Sequence, residues 1–485
     1  MVNGSFQDIA ENNLGRKVFV GGSFLLFRQG LSLLISLFGV VLLTRWIGPS
    51  NYGLYNAGMG IYLFIYYLIQ FGINVYLIRK EGEIKEEEYN TAFSFLILVS
   101  ILAITFSEAL IPFFSKWTRL DGFNRVAMVI FLCYPFSLAN LIPISKLERE
   151  LNYKRVALIE LFAQIVYYLI GLPLAFLGAG VWAPVAGWWI QQLSVVSLSS
   201  ISAKYKPNFY LNKNLLKKML GYGFSYSISF WIWQFRNLVN PLIVGRFLGA
   251  NGVGHVALAI RIVEILTFAR SVVWRMSIAV MGKLQREKKR ILEVINEGMR
   301  IGLLAIFSFV LPFSIISKWI IPFFFGNQWI PVLKIFPFIA MAYIVNSVFS
   351  LHSSALYTIG KNKEVAIFHL VHIILFAGSA FILIPHTGLL GYGLGEFSAF
   401  LSYAVIHYFI LKNFGNPKYS IPFFWLFPFS LPLFHETFGI FVYLTIPFIF
   451  VFPESRKELA RYWGILRELI FVRGSSTIKK DNSIF

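Results

Sequence analysis

Long, nearly uncharged apolar stretches follow one another along most of this chain, and they limit what it can fold into. A membrane-crossing helix needs about 20 mostly apolar residues. Read with a window of about 19 residues, the chain offers about fourteen such stretches, at approximately 18–43, 54–78, 91–114, 126–145, 156–177, 181–202, 222–244, 255–281, 300–321, 335–357, 365–385, 388–411, 421–435 and 437–452. They are continuous rather than alternating with period two, which favours helices over a β-barrel. Hydrophobic residues make up 57% of the 485-residue chain and charged residues 14%, against about 25% charged in a soluble domain. That surplus has to face lipid. The fold class expected is an all-α polytopic membrane protein. The one cysteine, Cys133, lies in an apolar run, which excludes an intramolecular disulfide or a Cys-rich metal site. The polar N-terminus "MVNGSFQDIAENNLGRK" lacks the basic start and apolar core of a cleavable signal, so the first span is expected to act as an uncleaved anchor.

The basic residues are distributed by side. With the N-terminus placed in the cytoplasm, segments such as "RKEGEIKEEE", "SKLERELNYKR", "KLQREKKR" and the tail fall inside. Inside segments then hold about 30 of the Lys and Arg residues and outside loops about 7. The expected topology is N-in and C-in. The net charge of +20 therefore reads as basic cytoplasmic loops, not as a nucleic-acid surface, because no basic segment has the pattern of a nucleic-acid module.

One polar clause is written twice. "TRWIGPSNYG" (44–53) follows the first span, and "GRFLGANGVG" (245–254) follows the seventh. Arg45 pairs with Arg246, Gly48 with Gly249 and Gly53 with Gly254. An even number of spans lies between the copies, so they point the same way, and a parallel repeat about an axis along the membrane normal is expected. A second match, "LERELNYKRVALIEL" (147–161) with "LYTIGKNKEVAIFHL" (356–370), supports it at a slightly larger offset, which predicts a longer loop in the second half. The expected organisation is a cytoplasmic N-terminus (1–17), an N-lobe of six spans (18–203), a linker (204–221), a C-lobe of six spans (222–411), two further spans (421–452) and a basic tail (453–485). In each clause the glycines permit a tight outer reversal, and the arginines are expected to reach the lipid headgroups. A direct role as an outer gate is the alternative.

The stretches "LLTRWIGPSNYGLYN", "ISKLERELNYKRVALIE" and "IVGRFLGANGVGHVALA" resemble the Wzx-type polysaccharide and O-antigen flippases of the multidrug/oligosaccharidyl-lipid/polysaccharide (MOP) transporter superfamily. The resemblance runs from about Arg16 to about Phe452. It implies two six-helix bundles around a central cavity, two extra C-terminal helices, and alternating access in a bacterial cytoplasmic membrane. It also implies a cargo of undecaprenyl-pyrophosphate-linked glycan, with glycosyltransferases or a polymerase as working partners.

Ionisable residues inside spans are costly and usually face the bundle interior. This chain has Arg28, Arg236, Arg261, Glu264, Arg270, Arg275, Glu160 and Glu396 there. On a wheel of about 100° per residue, Arg261, Glu264 and Arg275 share a face and Arg270 points away. Glu264 is placed to pair with Arg261. Arg270 is expected to pair with Glu396 or Glu160. Arg28 and Arg236 have no acid within a turn and are assigned to cargo, so Arg28→Ala and Arg236→Ala are expected to abolish export in a folded protein. The first-half counterpart of Arg275 is Asn74, with Gln70 one turn before it. Guanidinium forks suit pyrophosphate oxygens, and the nearby Trp231, Trp233 and Trp274 suit sugars or lipid anchoring. His369 and His372 share a helix face, which fits packing or a proton relay.

No phosphate-loop or zinc-protease motif is present. No cofactor is expected, and H+ or Na+ is the candidate coupling ion. The short outer loops favour a transporter over a glycan polymerase or ligase. A peptidoglycan-precursor flippase and a drug/cation antiporter are rivals of the same fold. The stretch "RKELARYWGILRELIFVR" (456–473) reads as a helix lying on the membrane surface.

Overall fold

The computed structural model describes the backbone of residues 3–471 except 269, 271–276, 278–279 and 283, and side chains from Gln29 onward except also 225–226, 465–466 and 468–471. No strand occurs among the described residues. Nine helical stretches among them are long and apolar enough to cross a bilayer. Two of these, Gln29–Ile69 and Ser227–Leu266, are each broken by a clause glycine and supply two passes.

The repeat is visible in the backbone itself. Gly48 has φ 76° and ψ 171°, and Gly249 has φ 66° and ψ −168°. Side-chain-bearing residues rarely adopt this conformation, so the glycines that mark the clause in the sequence also make its break. The second match folds alike too. Leu151 and Gly360 have φ 57° and 75°, and the following amides close equivalent loops, Asn152 N to Leu147 O at 2.8 Å and Lys361 N to Leu356 O at 2.9 Å. This is the bond that ends a helix by a left-handed residue. The longer loop of the second half is the tight turn of Ile321–Phe325 and Asn327–Trp329. In the first half Thr118 and Phe123 bound a shorter connection.

Each lobe has an aromatic core that pairs polar atoms within it, as a lipid-surrounded bundle favours. In the N-lobe, Tyr62 stacks on Tyr134 at 4.5 Å, and its hydroxyl donates to Ser137 Oγ at 2.6 Å. In the C-lobe, Phe349 stacks on Tyr403 at 4.3 Å, and Tyr419 Oη lies 2.7 Å from His352 Nε2 and 2.9 Å from His407 Nδ1. The acidic run Glu86–Glu88 opens the helix Glu86–Thr118, where carboxylates suit the positive end of the helix dipole. Glu88 is pinned there by Lys80 Nζ and by Tyr76 Oη, both at 2.7 Å.

After the helix Ser420–Ser430 the chain turns at His435–Phe438 and returns as a tighter helix, Ile440–Phe450. The surface helix Pro453–Phe471 follows at once. It docks on two helices: on Lys288–Ile320, Glu458 accepts from Arg300 at 2.7 Å and Glu297 from Tyr462 at 2.7 Å, and on Ser420–Ser430, Trp425 Nε1 donates to Ser455 Oγ at 2.7 Å. Burial and the Glu297 carboxylate hold the Tyr462 phenol above its ordinary range. Its other face, with Arg456, Lys457 and Trp463, is exposed. Arg300 is only 10% exposed, so its loss removes more than a surface ion pair would. Arg300→Ala is expected to release the helix, seen as faster trypsin cleavage after Arg456 and Lys457 in membranes. An unchanged cleavage rate would show that apolar contacts alone hold it.

Candidate functional site

A cavity of about 890 Å³ lies between the lobes. The broken spans position its charged residues. Arg236 begins a short turn (Arg236–Leu238) that leads into the π-helical segment Val239–Val244. Such segments mark functional sites in many helices. Arg236 lines the cavity and forms an ion pair with Glu396. His372 Nε2 lies 3.3 Å from Arg236, and its Nδ1 lies 3.0 Å from Ser402 Oγ. The guanidinium also sits over the Phe376 ring at 4.9 Å and the Trp233 ring at 5.7 Å. Its partner acid comes from another helix. Glu396 is 1% exposed and Arg236 19%, so the pair is a buried one with its cation turned toward the cavity.

Arg261 pairs with Glu264 at 3.4 Å, as the spacing predicts, and both line the cavity. Arg270 lines it as well, against the wheel. The helix Gly245–Leu266 ends at Thr267, whose backbone (φ −99°, ψ 15°) is not helical. Beyond that break the wheel carries no information, and Arg270 is re-aimed to Asn346 Oδ1 at 2.7 Å and over the Tyr343 ring at 5.0 Å. Of the two acids expected for Arg270, Glu396 pairs with Arg236 instead. Gln70 and Asn74 do not line the cavity. The first helix stops at Ile69, the chain turns through Phe71 (φ 49°) and Gly72 (φ 67°), Gln70 is buried at the turn, and Asn74 lies in the next helix, Ile73–Arg79. The Arg28 side chain and Arg275, like Trp274, lie outside the described residues. Trp233 packs on His369 at 4.8 Å and His372 at 5.2 Å. Trp231 points elsewhere, donating to Tyr67 O at 3.1 Å.

Other cavity residues went unnoticed in the sequence: Tyr55, Gln164, Tyr167, Gln191 and Asn346. The amides carried a usable signal, since polar side chains inside apolar spans face protein or water.

The two clauses meet each other above this cavity. A Cβ on Gly53 would lie 1.8 Å from Ala250 O, and one on Gly254 would lie 2.1 Å from Pro49 O. The glycines bring two helix backbones together across the lobe boundary. The arginines cross it too. Arg45 donates to Phe323 O at 2.7 Å in the C-lobe, and Arg246 donates to Trp117 O at 3.0 Å in the N-lobe. Carbonyls at a helix end lack intrahelical donors, and each arginine supplies one to the opposite lobe, a partner the sequence did not indicate. Gln328 Nε2 adds a bond to Arg45 O at 3.3 Å.

Residues 42–334 match a family model described as polysaccharide biosynthesis protein. The chain belongs to this family. Among its relatives is an uncharacterized membrane protein in the cps region of Klebsiella pneumoniae, 21% identical over 89% of this chain and 94% of that one. A succinoglycan biosynthesis transport protein, ExoT, of Rhizobium meliloti is 20% identical over 60% of this chain and 59% of its own. Among solved structures, the lipid II flippase MurJ in an inward closed conformation superposes with TM-score 0.66 at 16% identity, covering 90% of this chain and 99% of that one. An inward-facing MATE multidrug transporter of the MOP superfamily gives 0.62 at 16% identity, over 80% and 97%. The polysaccharide biosynthesis family therefore has, in this member, the fold of the MOP transporters.

Proposed function

We propose that the protein moves lipid-linked oligosaccharide repeat units across the bacterial cytoplasmic membrane by alternating access between its lobes. The supporting observation is the cavity between the lobes, with Arg236, Arg261 and Arg270 on its wall. A guanidinium stays charged in any setting and forks onto phosphate oxygens, which suits the pyrophosphate of such a cargo. Amides and aromatic rings beside the arginines suit sugars. A cation antiporter needs a wall dominated by free carboxylates, whereas Glu396 and Glu264 here are each committed to an arginine. The clause seam closes one side, and its opening while the opposite side closes is the transport step. Arg28 and Arg275 join the cargo site in this reading, as sequence position places them in the first and eighth spans.

Deleting the gene is expected to stop surface polysaccharide and to accumulate undecaprenyl-linked repeat units on the inner leaflet, read with a radiolabelled glycan pool. Repeat units that reach the outer face but stay unpolymerised would instead assign the protein to a later enzymatic step.

A further inference from the structure

The surface helix Pro453–Phe471 carries a face that its docking leaves open. At about 100° per residue, Arg456, Ala460, Trp463 and Arg467 fall within about 60° of one another. All four are exposed, as is Lys457. Another side of the helix is occupied: Ser455, Glu458 and Tyr462 bond to Trp425, Arg300 and Glu297. Those bonds fix the rotation of the helix, and so which residues turn outward. We propose that the outward stripe binds anionic phospholipid headgroups, with Arg456 and Arg467 on phosphate oxygens and Trp463 between them. None of the described residues of this helix lines the cavity, so the surface is separate from cargo binding.

Position selects lipid as the occupant. Only Val451 and Phe452 separate this helix from the apolar helix Ile440–Phe450, and the side chains of Phe448, Phe450, Val451 and Phe452 are exposed. An exposed apolar cluster of this kind marks contact with the membrane. Arg456 follows Phe452 by one helical turn, about 6 Å, so the stripe starts at headgroup depth. Chemistry selects the headgroup. A tryptophan ring sits at the lipid–water interface, and long arginine side chains reach from there to phosphate. Glu458, within the same turns, is turned away and held by Arg300 and Arg461. Glu454, the exposed acid among the described side chains of this helix, falls more than about 100° from the stripe. The stripe is therefore positive, which favours a net-negative lipid over a zwitterionic one. Because the latch runs through Arg300, a lipid held here also anchors the helix Lys288–Ile320 at the membrane face.

The test uses the full-length protein with Ala460→Cys on the stripe, labelled with an environment-sensitive fluorophore. The native Cys133 is fully buried and stays unlabelled. The protein is placed in nanodiscs of phosphatidylcholine with increasing phosphatidylglycerol. The emission is expected to shift to the blue as phosphatidylglycerol rises, and added salt to oppose the shift. Arg456→Gln and Arg467→Gln are each expected to lower the apparent affinity for phosphatidylglycerol about fivefold, the worth of one basic side chain at an anionic surface. The Arg456→Gln, Arg467→Gln double variant is expected to lose the shift. Lys217→Gln with Lys218→Gln removes the same charge from exposed positions on the linker, and is expected to leave the shift as in wild type. The Arg456 and Arg467 side chains make no bond within the described residues, so their variants should melt as wild type does. A shift weakened alike by the stripe and linker variants would overturn the site. Equal emission at every phosphatidylglycerol fraction would overturn lipid binding and leave the stripe to a protein partner.

Discussion

Gly53→Ala and Gly254→Ala are each expected to unseat the clause seam and lower transport more than tenfold. The reason is geometric. The new methyl carbon would sit 1.8 Å from Ala250 O in one case and 2.1 Å from Pro49 O in the other. Both obstacles are backbone atoms of helix ends, so no rotamer change relieves the clash and the two lobes must move apart. Close-packed interiors transmit such strain instead of absorbing it. Gly249→Ala is the control. Nothing lies within 4 Å of the added carbon, so it adds no clash across the seam and carries only the strain of a backbone region essentially reserved for glycine (φ 66°, ψ −168°), about 1–3 kcal/mol. The readout is a cysteine at Asn237 in the cavity wall, probed from the clause face with a membrane-impermeant thiol reagent. The native Cys133 is fully buried and does not interfere. Labelling is expected to rise in the Gly53 and Gly254 variants and in the Arg45→Ala, Arg246→Ala double variant, but not in Gly249→Ala. Wild-type labelling in all of them would mean that the seam does not govern access.

The second large effect concerns Arg236 and Glu396. Removing one member of a buried ion pair leaves the other charged and uncompensated, which costs about 3–5 kcal/mol. Arg236→Ala and Glu396→Ala are therefore each expected to lower thermal stability strongly. This revises the sequence-based expectation that Arg236→Ala leaves the fold intact, because the acid that depends on it sits on a different helix. Replacing both by methionine removes both charges together and is expected to restore most of the stability, as apolar substitutes for buried pairs do. Transport should stay absent in the double variant, since the cavity-facing cation is gone. Recovery of transport along with stability would reduce the pair to a structural lock between helices. Single variants that melt like wild type would contradict the burial of the pair.

The contrast between what could be read in the sequence and what could not follows the range of the forces involved. The helical membrane class, the two reversals and the parallel repeat were legible because hydropathy and backbone sterics act over a few residues. Gly48 adopts the positive φ expected of it, as does Gly249, whereas Gly53, expected to do the same, is helical and instead lets the backbone approach Ala250 O; the loop that lengthens the second half lies within Ile321–Trp329. The Arg261–Glu264 pair was legible too, because i and i+3 are neighbours on any intact helix. Side-chain partners beyond one helix were not. Arg270 escaped the wheel because the helix ends at Thr267. Gln70 and Asn74 left the cavity because the chain breaks at Phe71 and Gly72. Arg236 found Glu396, and the clause arginines found carbonyls of the opposite lobe, through helix packing that no local pattern encodes. The sequence by itself determined a polytopic, duplicated helical protein with polar clauses between its spans. Only the tertiary structure decided which charges neutralise one another, which face the cavity, and where the two lobes close, because those depend on how helices distant in the chain are set side by side.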